Sequence, residues 1–324
     1  MSNIKTIGVF TSGGDAPGMN AAVRAVARTC YGHKINCVGI YNGYEGMMAG
    51  NFDKNLKGNI ANIMQRGGTI LKTARCLEFM EPEGRAKAAQ QLKANGIDAL
   101  VAVGGNGTYT GALKLGQEHG IPIIGLPGTI DNDIYGTDFT IGFDTATNTA
   151  IDAIDKIRDT ADSHNRLFIV EVMGRHAGYI ALHTAIGSGA YSAFLPETDT
   201  DIPDWVNTLN MRRKKLFNIV IVAEGNKNGN AHDIAHKVKE SGFERDVRVT
   251  VIGHLQRGGS PTCADRVLAS RLGYRAVTHL LNGESGIALG IINDKLEKTP
   301  FEDAIYKKKE LCVDLMEMIN LLST

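Results

Sequence analysis

Residues 97–128 read IDALVAVGGNGTYTGALKLGQEHGIPIIGLPG, and this stretch contains the pattern that predicts the fold. Two apolar runs, IDALVAVGG and IPIIGLPG, flank the helix-like segment TGALKLGQEHG. Each apolar run is continuous rather than alternating, which is typical of parallel strands covered on both faces. A strand, a helix and a second strand in this order predict a βαβ unit with ligand-binding glycines at the strand ends.

The same order of elements continues on both sides of this stretch. Towards the N-terminus, KTIGVFTS reads as a buried strand and MNAAVRAVART as the helix that follows it. Towards the C-terminus, TATNTAIDAIDKIRDTAD reads as a helix, and LFIVEVMG, NIVIVAEG and RVTVIGH read as strands. Repeated βα units predict a doubly wound α/β architecture, and 324 residues are enough for two such domains.

The composition excludes some classes of partner. Lys and Arg together number 35, as do Asp and Glu, so the bulk charge gives no argument for binding nucleic acid or an anionic membrane. No apolar run approaches the ~18 residues that suggest a membrane span. The five cysteines are scattered and odd in number, and no secretory pattern stands at the start, so we expect reduced thiols in a cytosolic protein.

Glycines and charged residues gather just after the predicted strands. The segments are SGGD (12–15), GGNGT (104–108), PGTIDND (127–133), VMGRH (172–176), AEG (223–225) and GHLQRGG (253–259). Ligands bind at the carboxyl ends of strands in open parallel sheets, so these segments predict one large cleft between two domains.

The residue types at these ends favour phosphate chemistry. Glycine turns between a strand and a helix can present backbone N–H groups to an anion. The spacing fits neither a Walker A loop, where Met19 occupies the lysine position, nor a dinucleotide fingerprint, where Thr110 replaces the third glycine. A nicotinamide-dependent dehydrogenase is therefore a disfavoured alternative.

Charged side chains at the strand ends offer the groups that phosphoryl transfer needs. Asp131 could accept the proton of an attacking hydroxyl; the alternative is an Asx-rich turn, which explains Asp133 better than Asp131. Arginines aimed into a cleft bind phosphate in a bidentate way, although a surface ion pair explains any single one of them. The candidates are Arg166, Arg175, Arg257 and Arg266. The residues alone therefore predict a cytosolic α/β enzyme that moves or binds phosphate.

Several longer motifs resemble the bacterial ATP-dependent 6-phosphofructokinase family. In chain order they are SGGDAPGMNAAVR, QRGGTILKTAR, PGTIDND, IGFDTA, DKIRDTADSH, EVMGR, GHLQRGGSP and DRVLASRLG. The resemblance implies transfer of the γ-phosphoryl group of ATP to the 1-hydroxyl of fructose 6-phosphate, in a homotetramer. It also implies two Rossmann-like three-layer αβα domains with mainly parallel sheets. The larger, ATP-binding domain would comprise 1–141 plus 253–303, and the fructose 6-phosphate domain 142–252 plus 304–324.

The resemblance also assigns roles to individual residues. The ATP site would comprise Gly14, Arg75, Cys76, Gly105, Asn106, Gly107 and Thr108. Asp131 would be the base, Thr129 would sit beside the transferring group, and Arg175 would stabilise its charge. The sugar phosphate would contact Met173, Gly174, Glu224 and Arg266, with Arg166 and Arg257 coming from a neighbouring subunit.

Three positions bear on the donor and its metal. Relatives that use pyrophosphate usually carry aspartate at the position of Gly107 and lysine at that of Gly128, so two glycines favour ATP. Asn106 replaces the aspartate that helps hold Mg²⁺ in the family, and an amide oxygen lacks its charge. We therefore expect weakened use of Mg²⁺–ATP, and the alternative is a catalytically weak, regulatory binding protein.

The family's allosteric nucleotide site is only partly matched. Its basic lining would comprise Arg24, Arg28, Lys57, Arg158, Arg213 and Lys215, with Lys57 replacing an arginine. Tyr191 stands where a glutamate normally helps to bind the effector's metal.

Overall fold

The computed structural model describes residues 4–161, 166–211 and 218–322, and the chain divides into two compact units. The first unit comprises Met1–Ile130, Ile134–Thr145 and Arg257–Lys309, and the second comprises Asp131–Asp133, Ala146–Gln256 and Glu310–Thr324. The boundaries expected from the sequence, at 141, 252 and 303, fall a few residues earlier along the chain. They also left residues 131–133 in the first domain.

Eleven strands are formed by the described residues. They are β1 Thr6–Thr11, β2 Asn36–Ile40, β3 Phe52–Asp53, β4 Ala99–Gly104, β5 Ile123–Pro127, β6 Leu167–Val172, β7 Ser192–Phe194, β8 Asn218–Ala223, β9 Val247–Val251, β10 Ile287–Ile292 and β11 Lys295–Pro300.

Twelve α-helices are formed by the same part of the chain. They are α1 Met19–Gly32, α2 Gly43–Ala49, α3 Leu56–Asn59, α4 Pro82–Ala94, α5 Asn106–His119, α6 Phe143–Ala161, α7 Tyr179–Ser188, α8 Ile202–Met211, α9 Ala231–Glu240, α10 Cys263–Leu281, α11 Phe301–Tyr306 and α12 Val313–Leu322. Short 3-10 helices span Glu78–Met80 and Gly253–Arg257.

The first unit is built on a seven-stranded sheet in the order β11-β10-β5-β4-β1-β2-β3. Its central strands are parallel, whereas β11 and β3 run antiparallel to their neighbours at the two edges. Side chains from β1, β2 and β4 form one core cluster with α2, α4, α5 and α11. Helices α1 and α10 pack together and contact β1, β4 and β5. The continuous burial of β4 follows from this arrangement.

The second unit has a smaller sheet in the order β7-β8-β6-β9, in which all pairings are parallel. Its core cluster joins β6 and β8 to α8 and α9. Helix α7 contacts β7 and β8, and it also packs against α12. The predicted α/β class with mainly parallel sheets is confirmed.

The sheets place the predicted functional segments as the sequence suggested. The six segments rich in glycine and charge follow β1, β4, β5, β6, β8 and β9, at the carboxyl ends of these strands. Within the described ranges, no helix is long and apolar enough to cross a membrane.

Candidate active site

Three glycine turns of the first unit lie side by side at the carboxyl edge of its sheet. The N–H of Ser12, after β1, donates to the carbonyl of Val103 at 3.0 Å. The N–H of Gly128, after β5, donates to the carbonyl of Gly104 at 3.1 Å. Because β1, β4 and β5 are neighbours in the sheet, the predicted ATP-binding turns are held next to each other.

Helix α5 begins inside the second of these turns. Gly105 precedes the helix, and no side chain of the described residues is seen to cap its first turn. The N-terminal end of a helix carries a partial positive charge and exposed N–H groups, which favour phosphate. The buried hydroxyl Oγ1 of Thr108 lies in this first turn and has no hydrogen-bond partner among the described residues. Residues 105–108 therefore form a suitable cradle for phosphate oxygens.

Two glycines of this region have very different surroundings. A Cβ placed on Gly107 would meet no heavy atom of the described residues within 4 Å. A Cβ placed on Gly128 would lie 2.9 Å from Cγ1 of Val103 and 3.1 Å from Cε of Met19. A larger residue fits at the first position without rearrangement, whereas the second position requires its neighbours to move.

The segment before Arg75 and Cys76 is attached to the end of β1. The hydroxyl of Thr11 donates to the carbonyl of Lys72 at 2.9 Å and lies 2.9 Å from the hydroxyl of Thr69. Arg75 is exposed, and Cys76 packs partly against the core cluster of the first unit. The structure therefore carries both residues out of a segment that begins beside the first glycine turn.

Arg257 and Arg266 also belong to the first unit. Nη1 of Arg257 donates to the carbonyl of Asp15 at 3.1 Å and lies against Gly14, so this arginine contacts the glycine turn of its own chain. Arg266 donates to the carbonyl of Pro261 at 2.7 Å and to the hydroxyl of Ser260 at 2.9 Å. That Arg266 binds phosphate, and that Arg257 contacts the substrate of a neighbouring subunit, both stay predictions. The contacts of these side chains within their own chain do not favour either prediction.

Asp131 and Arg175 come together in the second unit. Oδ2 of Asp131 lies 3.8 Å from Nε of Arg175, and the side chains are 7% and 60% exposed. A nearly buried carboxylate beside a largely exposed guanidinium combines a proton acceptor with a positive group that can reach an anion. Thr129, two residues before Asp131, belongs to the first unit.

The side chain of Glu224 holds the backbone of the loop that carries Arg175. Oε1 of Glu224 accepts hydrogen bonds from the N–H groups of Arg175 at 2.7 Å and Gly174 at 3.3 Å. Arg175 has a φ of 51°, a left-handed conformation that is uncommon for a residue with a side chain. A Cβ on Gly225 would lie 1.8 Å from the carbonyl oxygen of Arg175, so only glycine permits this approach.

Arg166 lies at the amino end of β6, in the sheet of the second unit. It immediately precedes β6, whereas Arg175 follows the carboxyl end of β6. A six-residue strand spans roughly 20 Å at ~3.3 Å per residue. Arg166 therefore starts from the edge of the second unit that is remote from Asp131 and Arg175.

A second arginine joins Arg166 there, and the sequence interpretation missed it. Arg248 is paired in register with Phe168, and its Nη2 lies 2.9 Å from Oδ2 of Asp246. Nε of Arg166 lies 3.0 Å from the same oxygen. Arg248 is the first residue of the predicted strand RVTVIGH, at the amino end, where the strand-end rule for parallel sheets predicts no ligand contact.

The described residues offer no metal cage. Among them, no group of three or more His, Cys, Asp and Glu side chains is placed to hold an ion. His232 and His236 are four residues apart on α9, a spacing that two metal ligands can have. Nδ1 of His236 lies 3.3 Å from Oε2 of Glu240. Where Mg²⁺ accompanies a nucleotide, it is held mainly by the phosphates and waters, with one or two protein ligands. The buried amide oxygen of Asn106 at the start of α5 fits that minimal role.

The candidate effector residues are distributed over both units. Arg24 and Arg28 are one turn apart on α1, and the ammonium of Lys57 lies 5.6 Å from the ring centre of Tyr31. Arg158, on α6, donates to the carbonyl of Ser188. Arg213 and Lys215 lie outside the described residues.

Tyr191 is in an apolar environment in the second unit. Its ring is nearly buried and makes an edge contact with Trp205, with the ring centres 6.0 Å apart. The structure thus uses this position for packing, which does not favour a metal ligand there.

Two mainly parallel sheets with glycine turns and arginines at their strand ends are typical of α/β proteins that bind phosphate groups. The family model described as phosphofructokinase matches residues 6–280. The chain belongs to the phosphofructokinase family.

The individual relatives agree with this assignment. The chain is 51% identical to ATP-dependent 6-phosphofructokinase 2 of Bacteroides thetaiotaomicron, over 100% of both chains. It is also 51% identical to ATP-dependent 6-phosphofructokinase 1 of Thermus thermophilus, over 99% of this chain and 100% of the relative.

Solved structures have the same fold. Phosphofructokinase from Saccharomyces cerevisiae superimposes with a TM-score of 0.86 at 36% identity, over 98% of this chain. The present chain spans 48% of that yeast chain. A pyrophosphate-dependent phosphofructokinase from Marinobacter aquaeolei gives a TM-score of 0.85 at 22% identity, which shows the fold alone.

Proposed function

We propose that this protein is an ATP-dependent 6-phosphofructokinase, which transfers the γ-phosphoryl group of ATP to the 1-hydroxyl of fructose 6-phosphate. The product is fructose 1,6-bisphosphate, and the reaction belongs to glycolysis. The observation that carries the proposal is the pairing of a nearly buried Asp131 with the exposed guanidinium of Arg175. The curated relatives that match the whole chain bear the same activity in their names.

The chemistry assigned to the protein is positioning and charge stabilisation. The carboxylate of Asp131 accepts the proton of the sugar hydroxyl as the hydroxyl oxygen attacks the γ-phosphorus, and the bond from the γ-phosphorus to the β–γ bridging oxygen breaks to release ADP. The guanidinium of Arg175 stabilises the negative charge on the transferring phosphoryl oxygens. Glu224 holds the Arg175 loop through Oε1 while facing the sugar hydroxyls. Residues 105–108 present the start of α5 to the phosphates of ATP.

Asn106 is the protein residue that would contact the magnesium of Mg²⁺–ATP. The ion neutralises phosphate charge when bound, and Asn106 offers it an amide oxygen in place of a carboxylate. We expect the wild type to turn over but to need more Mg²⁺ than a chain with an aspartate at this position. The alternative of a purely regulatory binding protein is not favoured, because Asp131, Arg175 and Glu224 are all retained.

Exchange of Asn106 tests the donor site directly. We expect Asn106→Asp to lower the half-saturating Mg²⁺ concentration ~10-fold, in line with the usual effect of a metal-site partner. The measurement is the initial rate of fructose 1,6-bisphosphate formation against Mg²⁺ at saturating substrates. Asn230→Asp is the matched control, because it adds the same charge at the start of α9 and retains the cap. Equal Mg²⁺ curves for wild type and Asn106→Asp would contradict the role given to Asn106.

We also propose that the sugar phosphate site is completed by a second copy of the chain in a homotetramer. Arg166 and Arg248 share Asp246 at the edge of the second sheet that is remote from Asp131. Two guanidiniums on one carboxylate form a basic group that a phosphate can reach from another copy. Arg248 is added here to the residues expected from the sequence.

Mixing two impaired variants tests the shared site. Asp131→Asn and Arg248→Ala should each be weak alone, and mixing equal amounts with subunit exchange should restore about a quarter of the sites for random pairing. A mixture of Asp131→Asn with Arg175→Ala is the control. It should recover nothing, because these two residues serve the same copy. Equal recovery in both mixtures, or in neither, would show that the site is not shared through Arg248.

In the family, the allosteric site implies regulation by ADP and phosphoenolpyruvate, and the replacements at Lys57 and Tyr191 do not favour it here. A cytosolic location stays a prediction from the scattered cysteines and the start of the sequence. Whether millimolar ADP changes the fructose 6-phosphate saturation curve decides the question of regulation.

A further inference from the structure

Gln256 is a fully buried polar side chain in the second unit, and the proposed reaction gives it no role. Its exposed fraction is 0%, and it lies in the 3-10 helix Gly253–Arg257. Oε1 accepts a hydrogen bond from the N–H of Met173 at 2.8 Å, and Nε2 donates to the carbonyl of Ala146 at 3.4 Å. A buried amide costs free energy unless both of its ends are satisfied, so its retention calls for a reason.

The bond to Met173 reaches the loop that carries Arg175. Three successive backbone N–H groups of this loop donate to side chains rather than to strand partners. That of Met173 donates to Gln256, and those of Gly174 and Arg175 donate to Glu224. Side-chain acceptors on every one of these groups fix the loop at each residue.

The loop needs such support because its conformation is strained. The left-handed backbone of Arg175, with φ of 51°, persists only where the surroundings over-determine it. The carboxylate of Glu224 can hold Arg175 only if Met173, two residues earlier, keeps its direction after β6. Gln256 supplies that constraint from an element remote in sequence, 83 residues away.

We propose that Gln256 is a positioning residue for Arg175, acting through the N–H of Met173; this inference rests on the proposed function. It does not touch substrate. Its bonds to Met173 and Ala146 set where the guanidinium stands relative to Asp131, 3.8 Å away.

Gln256→Met tests the proposal, because methionine is similar in size and cannot accept the bond from Met173. We expect kcat to fall ~10–100-fold, the usual effect of a small misplacement of a reacting group, while the KM for fructose 6-phosphate changes little. In an Arg175→Ala background, Gln256→Met should have no further effect on kcat. Val206→Ala, a buried truncation in α8 of the same unit, is the control for loss of stability alone.

Hydrogen exchange gives a readout that does not depend on turnover. The peptide containing residues 173–175 should exchange faster in Gln256→Met than in the wild type. Its exchange rate in Val206→Ala should equal that of the wild type. Unchanged exchange in Gln256→Met would overturn the proposal, as would an equal fall of kcat with and without Arg175. An inactive wild type would instead overturn the proposed function, and the exchange result would still decide whether Gln256 holds the loop.

Discussion

Gly128 and Gly107 are the two positions that the family resemblance links to the choice of phosphoryl donor. Both were assigned to ATP use from the sequence because pyrophosphate-dependent relatives carry larger residues there. The structure gives the two positions different physical meanings. At Gly107 there is open space at the start of α5, whereas at Gly128 the side chains of Val103 and Met19 close around the backbone. A lysine at Gly128 would require those neighbours to shift.

Alanine at each glycine separates these two situations. We expect Gly128→Ala to lower the free energy of unfolding by about 1–3 kcal/mol, because its Cβ would overlap packed side chains. Gly107→Ala should be neutral or should stabilise the protein by up to about 1 kcal/mol, because alanine is the better helix former. Denaturant unfolding at equal subunit concentrations measures both. A similar loss for the two variants would contradict the packing argument.

Among single residues, the local sequence predicts some parts of the proposed site and not others. Asp131, Arg175 and the glycine turns were predicted because strand ends with charge have a pattern that can be read. Gln256 and Arg248 were not predicted. Gln256 contacts Met173, 83 residues away, and Arg248 is linked to Arg166 only through the carboxylate of Asp246. The oxygen of Asp246 that joins Arg166 to Arg248 belongs to no motif.

At the scale of elements, prediction succeeded where the apolar runs were long and continuous. Strands β1, β4, β5, β6 and β8 are buried along most of their described length, so their pattern is strong. Among the edge strands, β9 was predicted as RVTVIGH, whereas β3, β7 and β11 were missed. Strands β3 and β7 have only two and three residues, and β11 is mostly exposed, so little hydrophobic pattern remains. The turn between β10 and β11 has positive φ at both Asn293 and Asp294, which is the available local signal.

The start of α6 shows why some element boundaries cannot be read locally. Asp265, on α10, accepts hydrogen bonds from the N–H groups of Gly142 and Thr145, both at 2.8 Å. It also accepts one from the hydroxyl of Thr145. Burial raises the pKa of Asp265 above its usual value, although these three bonds oppose the shift. The group that holds this end of α6 is therefore more than a hundred residues away in the sequence.

For the whole molecule, equal numbers of acidic and basic residues say nothing about local clusters of charge. The net charge of zero gives no argument for nucleic acid or an anionic membrane as a partner, and the proposed substrates are small anions held by a few arginines and helix ends. The chain covers the full length of its bacterial relatives and about half of the yeast chain. A single sequence gives little indication that a site is completed by a second copy of the chain. Under the proposal, the available signal is that Arg166 and Arg248 lie at the amino ends of β6 and β9, away from Asp131 of their own copy.

The most direct test of the proposed function is turnover with ATP, Mg²⁺ and fructose 6-phosphate, in the wild type beside Asp131→Asn. Product is identified by mass as fructose 1,6-bisphosphate, and binding of both substrates is measured in parallel. We expect the wild type to form product and Asp131→Asn to be slower by ~10²–10⁴-fold with binding retained, because the amide cannot accept the proton. A wild type that binds both substrates but forms no product, or an Asp131→Asn variant of equal rate, would contradict the proposal.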